Sequence, residues 1–510
     1  MCASIYPLID RLFVVSILLR EVRVLITLNT QTIHNLRRTR RVGAAFGAFD
    51  IRYRVLIALH LLLNLHDGQQ NGCYNLHGPR HRRYHRHVCV GKLDPRDQTI
   101  TGISSLFALA SPELEILAFI TSFGNTDVAS SRQNILKAYQ AVSRHLERFP
   151  EDAPRFPNFS PAVKPILACG SAGPLEGELH SAQYFHGRDG LGGIAERHPE
   201  LDVDENDLEH PQLDIRSTTG LDVALELIRS RPPRTITYLA LGPLTDLGWL
   251  MSENAALVRE KIGRIVCMGG ALDVPGNTSP VAEFNFFADP YAVKKLLIQD
   301  ADIDSSQILL PLDRFILLPL DITTPHELPF PFYKENIDPS FETSAMPSDS
   351  SNKSPLTHFT SSFLEQTRVV MLQFGKDAME LHDIVAVWCA IENPPVPDGA
   401  ADTLGLGWKA RNRTFDIERT GELTRGMLVC DRRDDLSAYT VGANRANVQA
   451  ELDKHTSHHG TWESTALPAL VETEHPPKVH DSRGVMCVHT TPGPDTLLAL
   501  LVKRVWGVSC

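Results

Sequence analysis

The sequence predicts an α/β fold, a mostly parallel β-sheet with helices on both faces, and three observations predict it. From about Ser111 onward, short β-branched or apolar runs alternate with longer amphipathic stretches, the texture of strand–helix–strand units. The chain has 510 residues, 43 % of them hydrophobic, enough to bury a large core. Clusters of glycine and polar residues come directly after several strand-like runs, where ligands bind in open α/β sheets.

Residues 114–121 (LEILAFIT) form an apolar run of strand length, and the amphipathic stretch 131–148 after it reads as a helix. A second strand is expected at 164–169. Residues 221–229 read as a helix, 235–241 as a strand, 244–258 as a helix, 264–268 as a strand and 290–297 as a helix. Further on, 414–418 and 426–430 read as a strand pair and 496–504 as a final helix. Residues 338–356, rich in Ser, Pro, Asn and Asp, and 448–480, polar and rich in His and Glu, read as surface insertions.

The first hundred residues differ. They carry 15 Lys/Arg against 6 Asp/Glu, a balance of +9, whereas the other 410 carry 35 against 55, a balance of −20. They are set apart as a poorly ordered or misassigned basic segment, 1–100, ahead of a domain at 101–510. His77, His81 and His85 share the spacing of one helical face, but Gly78 and Pro79 oppose a helix and four nearby arginines oppose a cation. Charge alone would suit these residues to nucleic acid or a membrane surface. The net charge of −11 argues against a general nucleic-acid surface. The apolar run 12–19 is about half the length of a membrane span. Nine cysteines, none in a CxxC pair, point to a reducing, cytoplasmic compartment.

No phosphate loop, dinucleotide fingerprint, nucleophile elbow or HExxH motif occurs. The clusters that remain are Phe123-Gly124-Asn125, His186 to Gly192, Leu241 to Asp246, Met268-Gly269-Gly270, Pro275-Gly276-Asn277, Ala282 to Asn285, and Leu381-His382-Asp383. Each alone is explained by a tight turn or a helix start. Together they offer amide, carboxylate and imidazole groups, suited to a polyhydroxylated ligand and to a hard cation such as calcium or magnesium.

In this order the clusters resemble the inosine-uridine-preferring nucleoside hydrolases. The matching strings are LASPELEILAFITSFGNTD, YFHGRDGLGG, ALGPLTDL, IVCMGGALDVPGNTSPVAEFNFFADP, LHDIVAVWCA, FDIERTGELTRGMLVCDRR and TPGPDTLLALLVKRVWGV, and PLDITTPH is similar to the larger fungal members. The resemblance spans about 101–510. It implies a Rossmann-like core with calcium at the strand ends, and hydrolysis of the N-glycosidic bond of purine or pyrimidine ribonucleosides by a calcium-bound water. By the match, Asp383 resembles a calcium ligand and Leu241 supplies its carbonyl. His382 resembles the acid that faces the leaving base. Asn125, Asn277, Glu283 and Asn285 resemble the ribose-binding set, Met268 and Phe284 line the sugar site, and His186 matches a pocket position. The expected partner is a small ribonucleoside, with no nucleic acid or membrane, and homo-oligomers are common in the family.

The family's D-x-D-P-G-x-D-D loop is not intact. Asp94-Pro95-Arg96-Asp97 is a partial echo that makes Asp94 and Asp97 further metal-ligand candidates. In the other register, Gly102-Ile103-Ser104-Ser105 aligns with the loop's end, with serines in place of aspartates. Either way, a degenerate member that binds ribose or nucleosides without turnover is the alternative to an active hydrolase.

Overall fold

The computed structural model describes residues 86–91, 98–182, 187–203, 210–298, 310–343, 346–395, 403–430 and 484–509. All belong to the unit Tyr84–Cys510, one of two into which the chain divides. Asp94, Asp97, His186, the histidine-spaced segment from His77 to His85 and the insertion at 448–480 lie outside the described residues.

The main sheet is built from β1 (Arg86–Gly91), β2 (Leu114–Thr121), β3 (Ile166–Cys169), β4 (Asp214–Thr219), β5 (Ile236–Ala240), β6 (Ile262–Met268) and β7 (Phe315–Leu318). A short antiparallel pair, β8 (Glu327–Pro329) and β9 (Ala378–Glu380), follows. Then come β10 (Lys409–Arg413), the antiparallel pair β11 (Asp416–Ile417) and β12 (Leu428–Val429), and β13 (Val485–Thr490). The nine-stranded order is β10-β13-β7-β6-β5-β1-β2-β3-β4. Every neighbouring pair is parallel except β10 with β13.

Alternation along the strands makes two core layers. Ile265 and Cys267 of β6 and Phe315 and Leu317 of β7 face one layer, which includes Val223, Leu247, Leu250 and Val293. Val266 and Met268, with Ile316 and Leu318, face the other, which includes Leu106, Tyr139, Phe363, Val387 and Leu501. A period of two with both faces covered explains why these strands read as continuous apolar runs. The helices Gly220–Ser230, Thr245–Lys261 and Pro290–Leu297 cover the first face. Gln98–Leu109, Val128–Arg148, Pro355–Gln373, His382–Glu392 and Pro494–Trp506 cover the second.

Strand order reverses at β1. From it the chain steps outward through β2, β3 and β4, then returns to β5 on its other side. Such a switch point opens a crevice at the carboxyl ends. Gly91, the last residue of β1, pairs with Ala240, and Leu241 follows at once.

The structure departs from the sequence reading in three places. An interior strand, β1, lies within the basic segment at 1–100, where only Val88, Cys89 and Val90 carry a β-signal behind a run of His and Arg. The helix Gln98–Leu109 takes in Gly102-Ile103-Ser104-Ser105, and both serines are buried in it. That register therefore cannot supply the loop's end. Residues 338–356 are not wholly surface: Asp338 is buried and accepts from Lys353 Nζ at 2.6 Å and Ser361 Oγ at 2.6 Å. These partners hold its carboxyl below the usual range against the upward pull of burial.

Candidate active site

The loop after β6 is folded around one carboxylate. Glu283 Oε2 accepts from Gly270 N at 2.8 Å and Phe286 N at 3.0 Å, and Oε1 accepts from Asn285 N at 2.8 Å. It thereby caps the short helix Phe284–Ala288 and fastens it to the end of β6. The backbone at Gly270 has φ +79, and a Cβ on Gly269 would come within 2.5 Å of the Phe286 ring. The glycine pair is what lets β6 turn this closely under the carboxylate.

Asn285 follows from that cap. Its Nδ2 donates to Met268 O at 3.3 Å and to Leu241 O at 3.4 Å, joining the ends of β6 and β5. Its Oδ1 is buried with no hydrogen-bond partner among the described residues. Asn277 has the reverse polarity: Oδ1 accepts from Phe284 N at 3.0 Å, and the buried Nδ2 has no partner among them. A buried amide oxygen and a buried amide N–H left over in one folded loop suit groups that both donate and accept, as hydroxyls do. Phe284 packs with Phe123, Ala182 and Ala288, which brings in the segment after β2 that carries the fully buried Asn125. Thr126 Oγ1 donates to Arg188 O at 2.5 Å and Asn134 Nδ2 to Asp189 O at 3.0 Å, so the loop that begins after His186 docks on the same segment. Asp189 organises that loop by accepting from Leu191 N, Gly193 N and Ala195 N.

His382 and Asp383 open the helix His382–Glu392, which is buried along nearly its whole length. Arg264, near the start of β6, donates to Pro394 O beyond that helix's end at 3.2 Å. The helix thus runs antiparallel to β6, and its first turn lies toward the strand's carboxyl end. A second chain of contacts agrees: Leu320 N donates to Gly270 O at 2.9 Å, and Thr323 Oγ1 lies 2.8 Å from His382 Nδ1. Asp383 is wholly buried at the positive end of the helix dipole, a favourable place for a carboxylate. A carboxylate here and the Leu241 carbonyl at the end of β5 are oxygen donors, the type a hard divalent cation takes.

His382 is held at both ring nitrogens, Nδ1 by Thr323 and Nε2 by Glu380 Oε2 at 3.0 Å. Thr323 Oγ1 also donates to Pro319 O at 3.3 Å, so the direction of its contact with His382 Nδ1 is set by the ring's tautomer. Glu380 also pairs with Lys376, which in turn contacts Glu327 at 3.0 Å. Burial would raise the Glu380 carboxyl, but His382 and Lys376 together bring it down to about 2.

Leu241, Met268, Asn277, Glu283, Phe284 and Asn285 are therefore joined by direct contacts. Asn125 reaches them through Phe123, and His382 and Asp383 through the Leu320–Thr323 turn. The sequence reading gave no role to Glu380 or Thr323, and took Asp189 only as part of the cluster His186 to Gly192. Glu380 stands two residues before His382, but its strand has three residues, too short to show a period. The described cavity lined by His145, Phe149, Arg155, Thr357 and Trp506 contains none of these residues.

The model of the inosine-uridine preferring nucleoside hydrolase family matches residues 101–458. The pyrimidine-specific ribonucleoside hydrolase RihA of Salmonella arizonae is 32% identical over 192 residues, 38% of this chain and 51% of its own. The probable uridine nucleosidase 1 of Oryza sativa subsp. japonica is 31% identical over 223 residues, 43% of this chain and 58% of its own. The chain thus spans between half and three-fifths of these relatives. Among solved structures, the plant nucleoside hydrolase PpNRh1 superposes with a TM-score of 0.53 at 19% identity, covering 82% of this chain and 98% of that one. An inosine-guanosine nucleoside hydrolase gives 0.52 at 18%, covering 83% and 99%. These likenesses show the fold.

Proposed function

Because the chain belongs to the inosine-uridine preferring nucleoside hydrolase family, we propose that it hydrolyses the N-glycosidic bond of purine or pyrimidine ribonucleosides to free base and ribose. The observation that carries the reading is the pair of buried, unsatisfied amide atoms, Asn285 Oδ1 and Asn277 Nδ2, in the loop that Glu283 caps. A ribose hydroxyl would satisfy each. A site that leaves such groups unpaired discriminates against substrates lacking the hydroxyl by about 10⁴-fold or more.

Asp383, the Leu241 carbonyl and the carboxylates of Asp94 and Asp97 are the groups that would hold calcium. Asp94 follows Gly91, the last residue of β1, by three positions in the sequence. When bound, the ion would supply Lewis acidity and an anchor for sugar hydroxyls. Asn125, Asn277 and Asn285 orient the sugar. Glu283 holds the loop that presents the two later asparagines. Met268 and Phe284 bound the sugar site, and His186, just ahead in sequence of the loop that Asp189 shapes, is the further pocket residue of this proposal. His382 is proposed as the acid toward the leaving base. In that role its Nε2 proton, now directed at Glu380, must turn over to the substrate.

Among the described residues no helix is long and apolar enough to cross a membrane, and the five described cysteines are free. A cytoplasmic location is proposed on the cysteines alone, since thiols stay free in a reducing compartment. Homo-oligomerisation belongs to the same proposal.

The test is release of reducing sugar from inosine and uridine, with and without a chelator of divalent cations. Release that is lost with chelator and restored by calcium is expected. No release from either nucleoside overturns the hydrolase reading. The second reading, a binder without turnover, is favoured by one observation: Gly102 to Ser105 lie inside a helix, so that segment adds no loop ligand. Calorimetric binding of ribose without sugar release would establish it.

A further inference from the structure

A second cluster lies apart from the cleft and independent of the hydrolase reading. His198 ends the turn Ile194–Arg197, Glu200 sits in the 3₁₀ turn Pro199–Leu201, and His358 lies in the first turn of the helix Pro355–Gln373. Glu200 Oε1 is 3.3 Å from His198 Nδ1 and 2.8 Å from His358 Nε2, and the three ligand atoms all lie within 4.8 Å of one another. We propose that this is a transition-metal site of the zinc type, with two imidazole nitrogens and one carboxylate oxygen as ligands.

Three features support a cation there. The first is the proton count at His198. Its Nε2 is 2.9 Å from Glu365 Oε1 while its Nδ1 faces Glu200, so the ring stands between two carboxylates. A neutral imidazole donates from one nitrogen only. The tautomer that serves Glu365 leaves the Nδ1 lone pair toward Glu200, and the solvent-facing Glu200 side is where an ion would enter. The second is outer support. Glu365 holds the far nitrogen of His198, and Ser348 Oγ holds His358 Nδ1 at 3.0 Å. A metal-bound histidine is ordinarily fixed in this way through its other nitrogen. Glu365 is itself held by Ser348 N at 2.9 Å and by Arg197.

The third is charge. Arg197 neutralises Glu365, and Lys353 neutralises Asp338. Arg144 reaches only the main-chain carbonyl of Glu200. The Glu200 carboxylate is left as the charge that faces the two rings. Tetrahedral zinc ligands at about 2.0–2.1 Å stand roughly 3.3 Å apart, which the Glu200–His198 contact of 3.3 Å matches and the Glu200–His358 contact of 2.8 Å approaches. His198 and His358 are 2 % and 3 % exposed, while the Glu200 side chain is half exposed. A solvent-side fourth position thus stays open. Nitrogen ligands select zinc, cobalt or nickel over calcium, so the two sites call for different ions. An ion here would staple the segment that follows the Asp189 loop to the helix Pro355–Gln373.

The full chain, stripped of metal, should bind one equivalent of zinc and give the intense visible absorption of four-coordinate cobalt(II) when titrated with that ion. Glu200→Gln, which changes a half-exposed group and leaves the core intact, should weaken cobalt binding at least tenfold, and His358→Gln should do the same. Asp383→Asn should leave the cobalt spectrum unchanged, and millimolar calcium should not displace it. Failure of the unaltered chain to take up zinc or cobalt overturns the proposal. So does a cobalt spectrum that survives both Glu200→Gln and His358→Gln, or one that disappears in Asp383→Asn. None of these readouts depends on nucleoside turnover, so the two proposals fail separately.

Discussion

Two histidine–glutamate clusters of this chain use the same side chains in opposite ways. In the first, Glu380 meets His382 under the first turn of a buried helix, with Lys376 on the carboxylate's far side and Thr323 on the ring's. The carboxylate's charge is fully answered by protein groups, and what remains is a proton held between two fixed partners. In the second, Glu200 reaches His198 and His358 from the solvent side, and Glu365 already occupies the outer nitrogen of His198. There the protein supplies more acceptors than neutral rings can serve. The difference is one of supply: the first cluster is complete and can position a proton, while the second is short of a cation and can take one. Residue type does not distinguish them; the number of donors and the access of water do.

The largest effect that bears on this contrast is expected from Asp383→Asn, beside the first cluster. Sugar release should fall by about 10²–10³-fold or more in kcat, as when a group that stabilises transition-state charge is removed. Cobalt uptake at the second cluster should be untouched. Equal loss of both signals would mean the clusters are not independent. Next are Asp94→Asn and Asp97→Asn, each expected to lower turnover on the order of 10²-fold, the low end for losing an acid–base or ligand carboxylate. Unchanged rates in both variants would remove the connection after β1 from the site.

Glu380→Gln sharpens the contrast in stability. The Glu380 carboxyl is depressed from 4.5 to about 2, which corresponds to stabilisation on the order of 3 kcal/mol. A depressed carboxylate contributes fully above its unfolded value and loses that contribution as pH falls through the folded one. Chemical denaturation of Glu380→Gln should therefore show the deficit at pH 7, shrinking between about pH 4.5 and pH 2. A deficit that does not change with pH would show that the charge is not its source. The smallest effect is expected from Glu200→Gln without metal. Half-exposed pairs contribute about 1 kcal/mol or less, so its denaturation midpoint should stay close to that of the unaltered chain.

Much of this was legible in the sequence. The strands at 114–121, 236–240 and 262–268 and the helix at 290–297 stand where apolar runs and amphipathic stretches put them. They are buried on both faces, and burial leaves a compositional mark. β1 was not legible, because three β-favouring residues sit behind a basic run. β4, Asp214–Thr219, was not either: it is a polar strand at the sheet's edge and is largely uncovered. Asn125, Asn277, Glu283, Asn285, His382 and Asp383 were each visible as motifs. What escaped was the division of labour among them. Both Glu283 oxygens serve main-chain N–H groups, and that appears only when the loop closes.

By itself the sequence determined the layered α/β architecture and the short polar strings that close its strands, because periodicity and turn chemistry act over a few residues. Tertiary structure alone decided that β1 lies inside the sheet, that Thr323 meets His382 from 59 positions away, and that His358 meets Glu200 from 158 positions away. Those contacts join stretches that share no local pattern. They exist because a parallel sheet, whose strands are linked by crossovers, gathers distant segments along one edge and packs distant helices against one face.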